Sequence, residues 1–143
     1  MLILDTNVVS ELRKVKSGRA DRHVAQWSEG IDASDAYIST ITVQELEIGV
    51  LLAERRDSVQ GAMLRLWLNQ HVLPAFEGRV LPVDMAVALI SAKFHVPDPR
   101  PVRDSLIAAT AVVHGMTIVT RNISDFDYSG VALLNPWAWG ESQ

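Results

Sequence analysis

Met1-Leu2-Ile3-Leu4-Asp5-Thr6-Asn7-Val8-Val9-Ser10-Glu11-Leu12 opens the chain and decides its class. Leu2–Leu4 is a short apolar strand that ends at Asp5. Helix chemistry follows at once, with Thr6 or Asn7 as the expected N-cap before Val8, Val9 and Leu12. Strand and helix alternate at the same short spacing further along, which points to an α/β fold.

Working outward, a second helix is expected through Val24 and Trp27 and a second strand at Tyr37–Ser39. Thr42-Val43-Gln44-Glu45 has capping-box spacing and predicts a helix to about Arg56. Another helix is expected from Ser58 to Leu73, with apolar residues on more than one face. Val80–Val83 reads as a short strand, after which Asp84 caps a helix through Met85, Leu89 and Ile90. Pro97, Pro99 and Pro101 mark a rigid loop, and Pro101 suits the start of a helix that ends at Gly115. Thr117–Thr120 and Val131–Leu134 complete the strands. No internal repeat or low-complexity tract interrupts this order, and 143 residues suit a single domain, 1–143.

Composition removes several classes. There is no cysteine, so a disulfide scaffold, a thiol nucleophile and a cysteine zinc site are excluded. No apolar stretch approaches the ~20 residues of a membrane span, and the N-terminal apolar run is too short for a signal peptide, so the cytoplasm is the expected compartment. The net charge of −4 disfavours nonspecific DNA packaging. It leaves room for an enzyme that holds nucleic acid through a local basic patch and a metal. Arg13, Lys14, Lys16, Arg19 and Arg22 form such a run, readable equally as a nucleic-acid backbone contact or a solvated helix face.

Four carboxylates stand out, each with two readings. Asp5, at the exit of a strand, is either a turn or cap residue or a ligand, because a carboxylate there is costly to bury unless paired or bound. Glu45 is either the acid of the capping box or a site residue with Gly49 beside it on the same helix face. Asp104 either complements the helix dipole or rides a face of small residues, with Ala108 and Ala111, toward the strand ends. Asp125 lies in Thr120-Arg121-Asn122-Ile123-Ser124-Asp125-Phe126, a strand exit followed by short polar groups. All four map to one end of the predicted sheet, where ligands bind in open α/β folds. Crowded carboxylates repel each other and call for a cation, and an all-oxygen set selects a hard ion such as Mg²⁺ or Mn²⁺. His23, His71, His95 and His114 are scattered, which argues against zinc.

These segments, with Ile41-Thr42-Val43-Gln44-Glu45-Leu46, Arg103-Asp104-Ser105-Leu106-Ile107-Ala108-Ala109-Thr110-Ala111 and the closing Leu134-Asn135-Pro136-Trp137, resemble PIN-domain nucleases. The likeness is to the VapC toxins of type II toxin–antitoxin pairs, in particular the FitB-like branch, and it runs in order along nearly the whole chain. It implies a three-layer α/β fold with a short, mostly parallel sheet flanked by helices. It also implies that Asp5, Glu45, Asp104 and Asp125 form an acidic Mg²⁺ or Mn²⁺ site, with Thr6, Asn7, Thr120 and Asn122 in support. Cleavage of single-stranded RNA, a homodimer and a small antitoxin that itself binds operator DNA complete the expectation. The family often has an acid where this chain has Asn122, which leaves one metal or two open.

Two other readings stand beside it. An aspartyl-phosphate phosphotransfer or phosphatase domain also places an Asp at a strand end. Such sites use a lysine, and Lys14, Lys16 and Lys93 all lie away from the predicted strand exits. A binding module that keeps the fold and acts only through its partner is the other.

Overall fold

The computed structural model describes residues 1–141. Five strands form one parallel sheet in the order β3-β2-β1-β4-β5. They are β1 (Leu2–Leu4), β2 (Ala36–Ser39), β3 (Val80–Leu81), β4 (Thr117–Val119) and β5 (Leu133–Leu134). Seven α-helices lie among the described residues: α1 (Thr6–Leu12), α2 (Arg22–Glu29), α3 (Thr40–Arg56), α4 (Ser58–Trp67), α5 (Leu73–Ala75), α6 (Met85–Phe94) and α7 (Val102–His114).

The pleat of three-residue strands sorts the core into two faces. Leu4, Ile38 and Val119 point into one cluster with Val8, Val24, Trp27, Leu46 and Val50. Their neighbours Ile3, Tyr37 and Ile118 point the other way, to Ile107, Ala108, Ala111, Phe94 and Phe126. Successive side chains of a strand face opposite sides, so strands covered on both faces read as unbroken apolar runs. Helices α1 to α4 therefore cover one face and α6 and α7 the other, which makes the three layers.

The layering follows from chain direction. From β1 the chain moves one way, to β2 and β3. It then returns over α6 and α7 to β4, on the far side of β1, and on to β5. Parallel crossovers are right-handed, so the two directions put their helices on opposite faces. The carboxyl ends of β1 and β4 thus flank the point where the strand order reverses, the usual position of a ligand crevice.

Several local expectations change. Asp5, not Thr6 or Asn7, caps α1: its backbone is extended and its carboxylate accepts from the Thr6 N–H, because the helix starts directly at the strand exit. Ser39 caps α3 in the same way, with its hydroxyl accepting from the Ile41 N–H at 2.9 Å. The capping box at Thr42 is absent because the helix has already begun; Thr42, Leu46, Val50 and Ala53 form its buried stripe. The helix expected over Ser58–Leu73 is broken by a wide π turn at Leu68–Val72, which turns Leu68 and Val72 into the core. Of its apolar residues, Val59, Met63 and Leu66 are exposed. The strands at Val80 and Val131 are shorter than expected, two residues each. Residues 13–18 form turns and not a helix face, so the basic run sits largely on a loop.

Candidate acidic site

Each acid reaches the carboxyl edge of the sheet by a different route. Asp5 leaves β1 and is only 6% exposed. Its Oδ1 accepts from the Thr6 N–H at 2.8 Å. Its Oδ2 accepts from the Thr120 hydroxyl at 2.8 Å and from the Asn7 amide at 3.3 Å. Thr120 follows β4, and its own oxygen accepts from the Asn122 N–H at 3.0 Å, which turns the hydroxyl proton toward Asp5. Asn7 continues the chain of contacts, accepting from the Arg121 N–H at 3.3 Å.

Glu45 stands one turn into α3 from the Ser39 cap. Its Oε1 accepts from the Thr6 hydroxyl at 2.6 Å, and its Oε2 lies 3.5 Å from Arg103 Nε. The Thr6 oxygen also sits 3.3 Å from the hydroxyl of buried Thr42. Helix capping therefore does not account for this glutamate. Asp104 occupies the first turn of α7, where Ala108, Ala109 and Ala111 are fully buried and let the helix lie close on the sheet. Asp125 is exposed, in the 3₁₀ turn Ile123–Ser129, and its N–H donates to the Asn122 carbonyl at 3.0 Å.

The electrostatics tie the four together. Burial pushes the Asp5 carboxyl above its ordinary value, and the charges of Glu45 and Asp125 push it the same way. The Thr120 hydroxyl and Thr6 N–H oppose them. Asp104 is pushed up to about 6, first by burial and then by Asp5, Asp125 and Glu45, with Arg103 in partial opposition. Asp104 thus lies within electrostatic reach of the other three acids. As the side chains stand, no three acidic or histidine groups among the described residues close on a single ion-sized point. The donor set fits a hard divalent cation: its charged groups are carboxylates, and their repulsion is what a cation relieves.

The other candidates divide. Thr6, Asn7 and Thr120 join the acids directly, and Asn122 does so through its backbone. The run from Arg13 to Arg22 begins at the far end of α1, roughly 10 Å along a seven-residue helix. There Arg13 lies over the Trp67 ring and Lys14 pairs with Glu11 at 3.2 Å. Arg13 and Lys16 line a groove of about 400 Å³ with Trp67 and His71. Sequence reasoning passed over Arg103 and Thr42 as site residues. Arg103 had a signal, since it precedes Asp104 at the start of a helix; Thr42 was hidden by its apparent capping role.

A family model described as PIN domain matches residues 2–128. The chain is similar to Toxin FitB of Neisseria gonorrhoeae, at 40% identity over a 146-residue alignment covering 96% of this chain and 99% of that one. It is also similar to the VapC ribonuclease Y4jK of Sinorhizobium fredii, at 37% identity covering 96% and 98%. The solved structure of FitAB bound to an IR36 DNA fragment superposes with a TM-score of 0.86 at 34% identity, covering all of both chains. The chain belongs to the PIN domain family, in the branch of the FitB and VapC toxins.

Proposed function

We propose that this chain is a metal-dependent endoribonuclease, the toxin of a type II toxin–antitoxin pair, and that residues 1–143 form one nuclease domain. The observation that carries the reading is the Asp5 carboxylate, buried at the exit of β1 and held by the Thr6 N–H, Asn7 and Thr120, with Glu45 joined to it through the Thr6 hydroxyl and Asp104 in the first turn of α7. A structural ion-pair network would pair those acids with cations; among the described residues the ion pair made by these acids is Arg103 on Glu45, at 3.5 Å. The relatives' names, toxin and ribonuclease, support the same conclusion.

Asp5, Glu45, Asp104 and Asp125 would hold Mg²⁺ or Mn²⁺, which when bound supplies Lewis-acid charge neutralisation and a more acidic water. The chain's own groups do the rest. Thr6 N–H, Thr120 and Asn7 fix the Asp5 carboxylate by three donors, so its direction is set before substrate arrives. Thr6 holds Glu45, and Arg103 offsets part of the acid charge that would repel a phosphate. The Arg13, Lys14, Lys16, Arg19 and Arg22 loop offers a more distant contact for the RNA backbone.

The exposed apolar side chains Leu51, Leu52, Val59, Met63 and Leu66 on α3 and α4, and Met85 and Leu89 on α6, support docking of other chains. A second copy and an antitoxin are the proposed occupants, with operator DNA reached through the antitoxin and with work in the cytoplasm. The DNA-bound FitAB assembly is consistent with that arrangement. An aspartyl-phosphate role fits less well, because both Asp5 oxygens are engaged and no lysine contacts it among the described residues. Purified chain incubated with single-stranded RNA should cut it with Mg²⁺ or Mn²⁺ and stop on chelation and on addition of antitoxin. Intact RNA under all conditions would remove the nuclease reading.

A further inference from the structure

Four carboxylates at one sheet edge repel a polyanion, so RNA needs cations placed beside them. Three arginines already have polar partners. Arg65 pairs with Glu47 and Glu54, Arg79 donates to the carbonyls of Ala33, Ala36 and Ala75, and Arg103 faces Glu45. Two exposed arginines at the site are differently arranged. Arg121, directly after Thr120, lies over the Trp137 ring at 5.2 Å. Arg100, in the loop before α7, lies over the Tyr128 ring at 4.6 Å. Among the described residues neither guanidinium is in an ion pair, and both residues are exposed.

The two stacks stand on opposite faces of the sheet. Trp137 packs against the cluster under α1 to α4, and Tyr128 against the cluster under α7, where it meets Phe94 edge-on. Each is tied to the acids: the Arg121 N–H bonds Asn7, and Tyr128 shares the 3₁₀ turn Ile123–Ser129 with Asp125. A guanidinium laid on an aromatic ring is held flat at low entropic cost and keeps its fork of donors for phosphate.

On the nuclease reading above, we propose that Arg100 on Tyr128 and Arg121 on Trp137 are two anchors that grip single-stranded RNA on either side of the acids. The strand runs across the carboxyl edge of the sheet, with one phosphate held at each stack and the acids between them. This assigns RNA binding to residues outside the Arg13–Arg22 run.

The test is fluorescence anisotropy of a labelled single-stranded RNA of mixed sequence, in chelator so that nothing is cut, across about 50 to 200 mM salt. Arg100→Ala and Arg121→Ala should each weaken binding about five- to tenfold and lower the slope of log K against log salt by about 0.7, the value for one phosphate contact on a single strand. Arg100→Lys and Arg121→Lys keep the charge and the slope but lose the planar fork, so affinity falls less. They also read the proposal if an alanine variant fails to fold. Arg56→Ala, at the far end of α3, should match wild type. Alanine variants with wild-type affinity and slope, a loss equal to that of Arg56→Ala, or a wild type that does not bind at the lowest salt would each overturn the anchors. A wild type that cuts RNA while the variants bind normally sinks the anchors alone. Arginine-dependent binding without cutting keeps them and sinks the nuclease reading.

Discussion

The Thr120 hydroxyl donates to Asp5 Oδ2 at 2.8 Å and joins the ends of β4 and β1 where the strand order reverses. The bond is directional because the Asn122 N–H already occupies the Thr120 oxygen. Thr120→Val removes it, leaves a backbone N–H without its acceptor and raises the Asp5 carboxyl further. We expect a loss of roughly 1–3 kcal/mol in stability and a larger proportional loss of RNA cleavage. Thr120→Ser restores the hydroxyl and should recover most of both. Equal activity in the valine and serine variants would show that the hydroxyl does not position Asp5.

Asp104 carries a stability signature of its own. Its folded-state pKa of about 6 lies above the ordinary 3.8, so the native carboxyl keeps its proton while the unfolded one releases it. The metal-free protein therefore loses stability as pH rises from about 4 to 6, and the loss is complete above that window. Asp104→Asn, which carries no charge, should melt above wild type near neutral pH in chelator, with the gap closing toward pH 4. Parallel melting curves over this range would contradict the electrostatic picture.

Metal should reverse that penalty. A ligand bound only by the native state stabilises it by about 2.7 kcal/mol at a hundredfold excess over Kd. Mn²⁺ should raise the wild-type Tm by several degrees, beyond the effect of NaCl at matched ionic strength, and Asp104→Asn should lose most of this increment. Differential scanning calorimetry of both proteins checks it; equal shifts would separate the ion from the acids.

The α3–α4 pair tests the scaffold independently. A Cβ at Gly61 would stand 2.5 Å from Glu54 Cα, a backbone atom that cannot swing aside. Gly61→Ala should force the helices apart, cost about 1–3 kcal/mol and lower Tm without changing which cations support cleavage. A wild-type Tm would mean that the helices can separate freely.

Much of this was legible because the strand exits are short and abrupt. Leu2–Leu4 followed by Asp5 announces a buried strand ending at a polar edge, and Thr117–Thr120 repeats the pattern, so the α/β class and the place of Asp5 at a strand exit could be read locally. Ser39 and Thr42 show where local reading stops. Both are good caps, and only the exit of β2 decides that Ser39 begins the helix and frees Glu45. The π turn at Leu68–Val72 does have a marker, Pro74, which has no N–H for the Gln70 carbonyl, but that marker does not say that Leu68 and Val72 end in the core. The Arg100–Tyr128 and Arg121–Trp137 stacks pair residues that meet only after the sheet closes. The basic loop at 13–22 drew notice instead because its charges are adjacent in sequence.

The central claim is that the four acids act together on RNA, and the most direct test is the rate of single-stranded RNA cleavage by wild type and Asp104→Asn, each in Mn²⁺ and in chelator. The account predicts cleavage by wild type in Mn²⁺ only, and at least a hundredfold loss, about 2.7 kcal/mol of transition-state stabilisation, in the folded variant. Cleavage by Asp104→Asn at the wild-type rate, or by wild type undiminished in chelator, would contradict it.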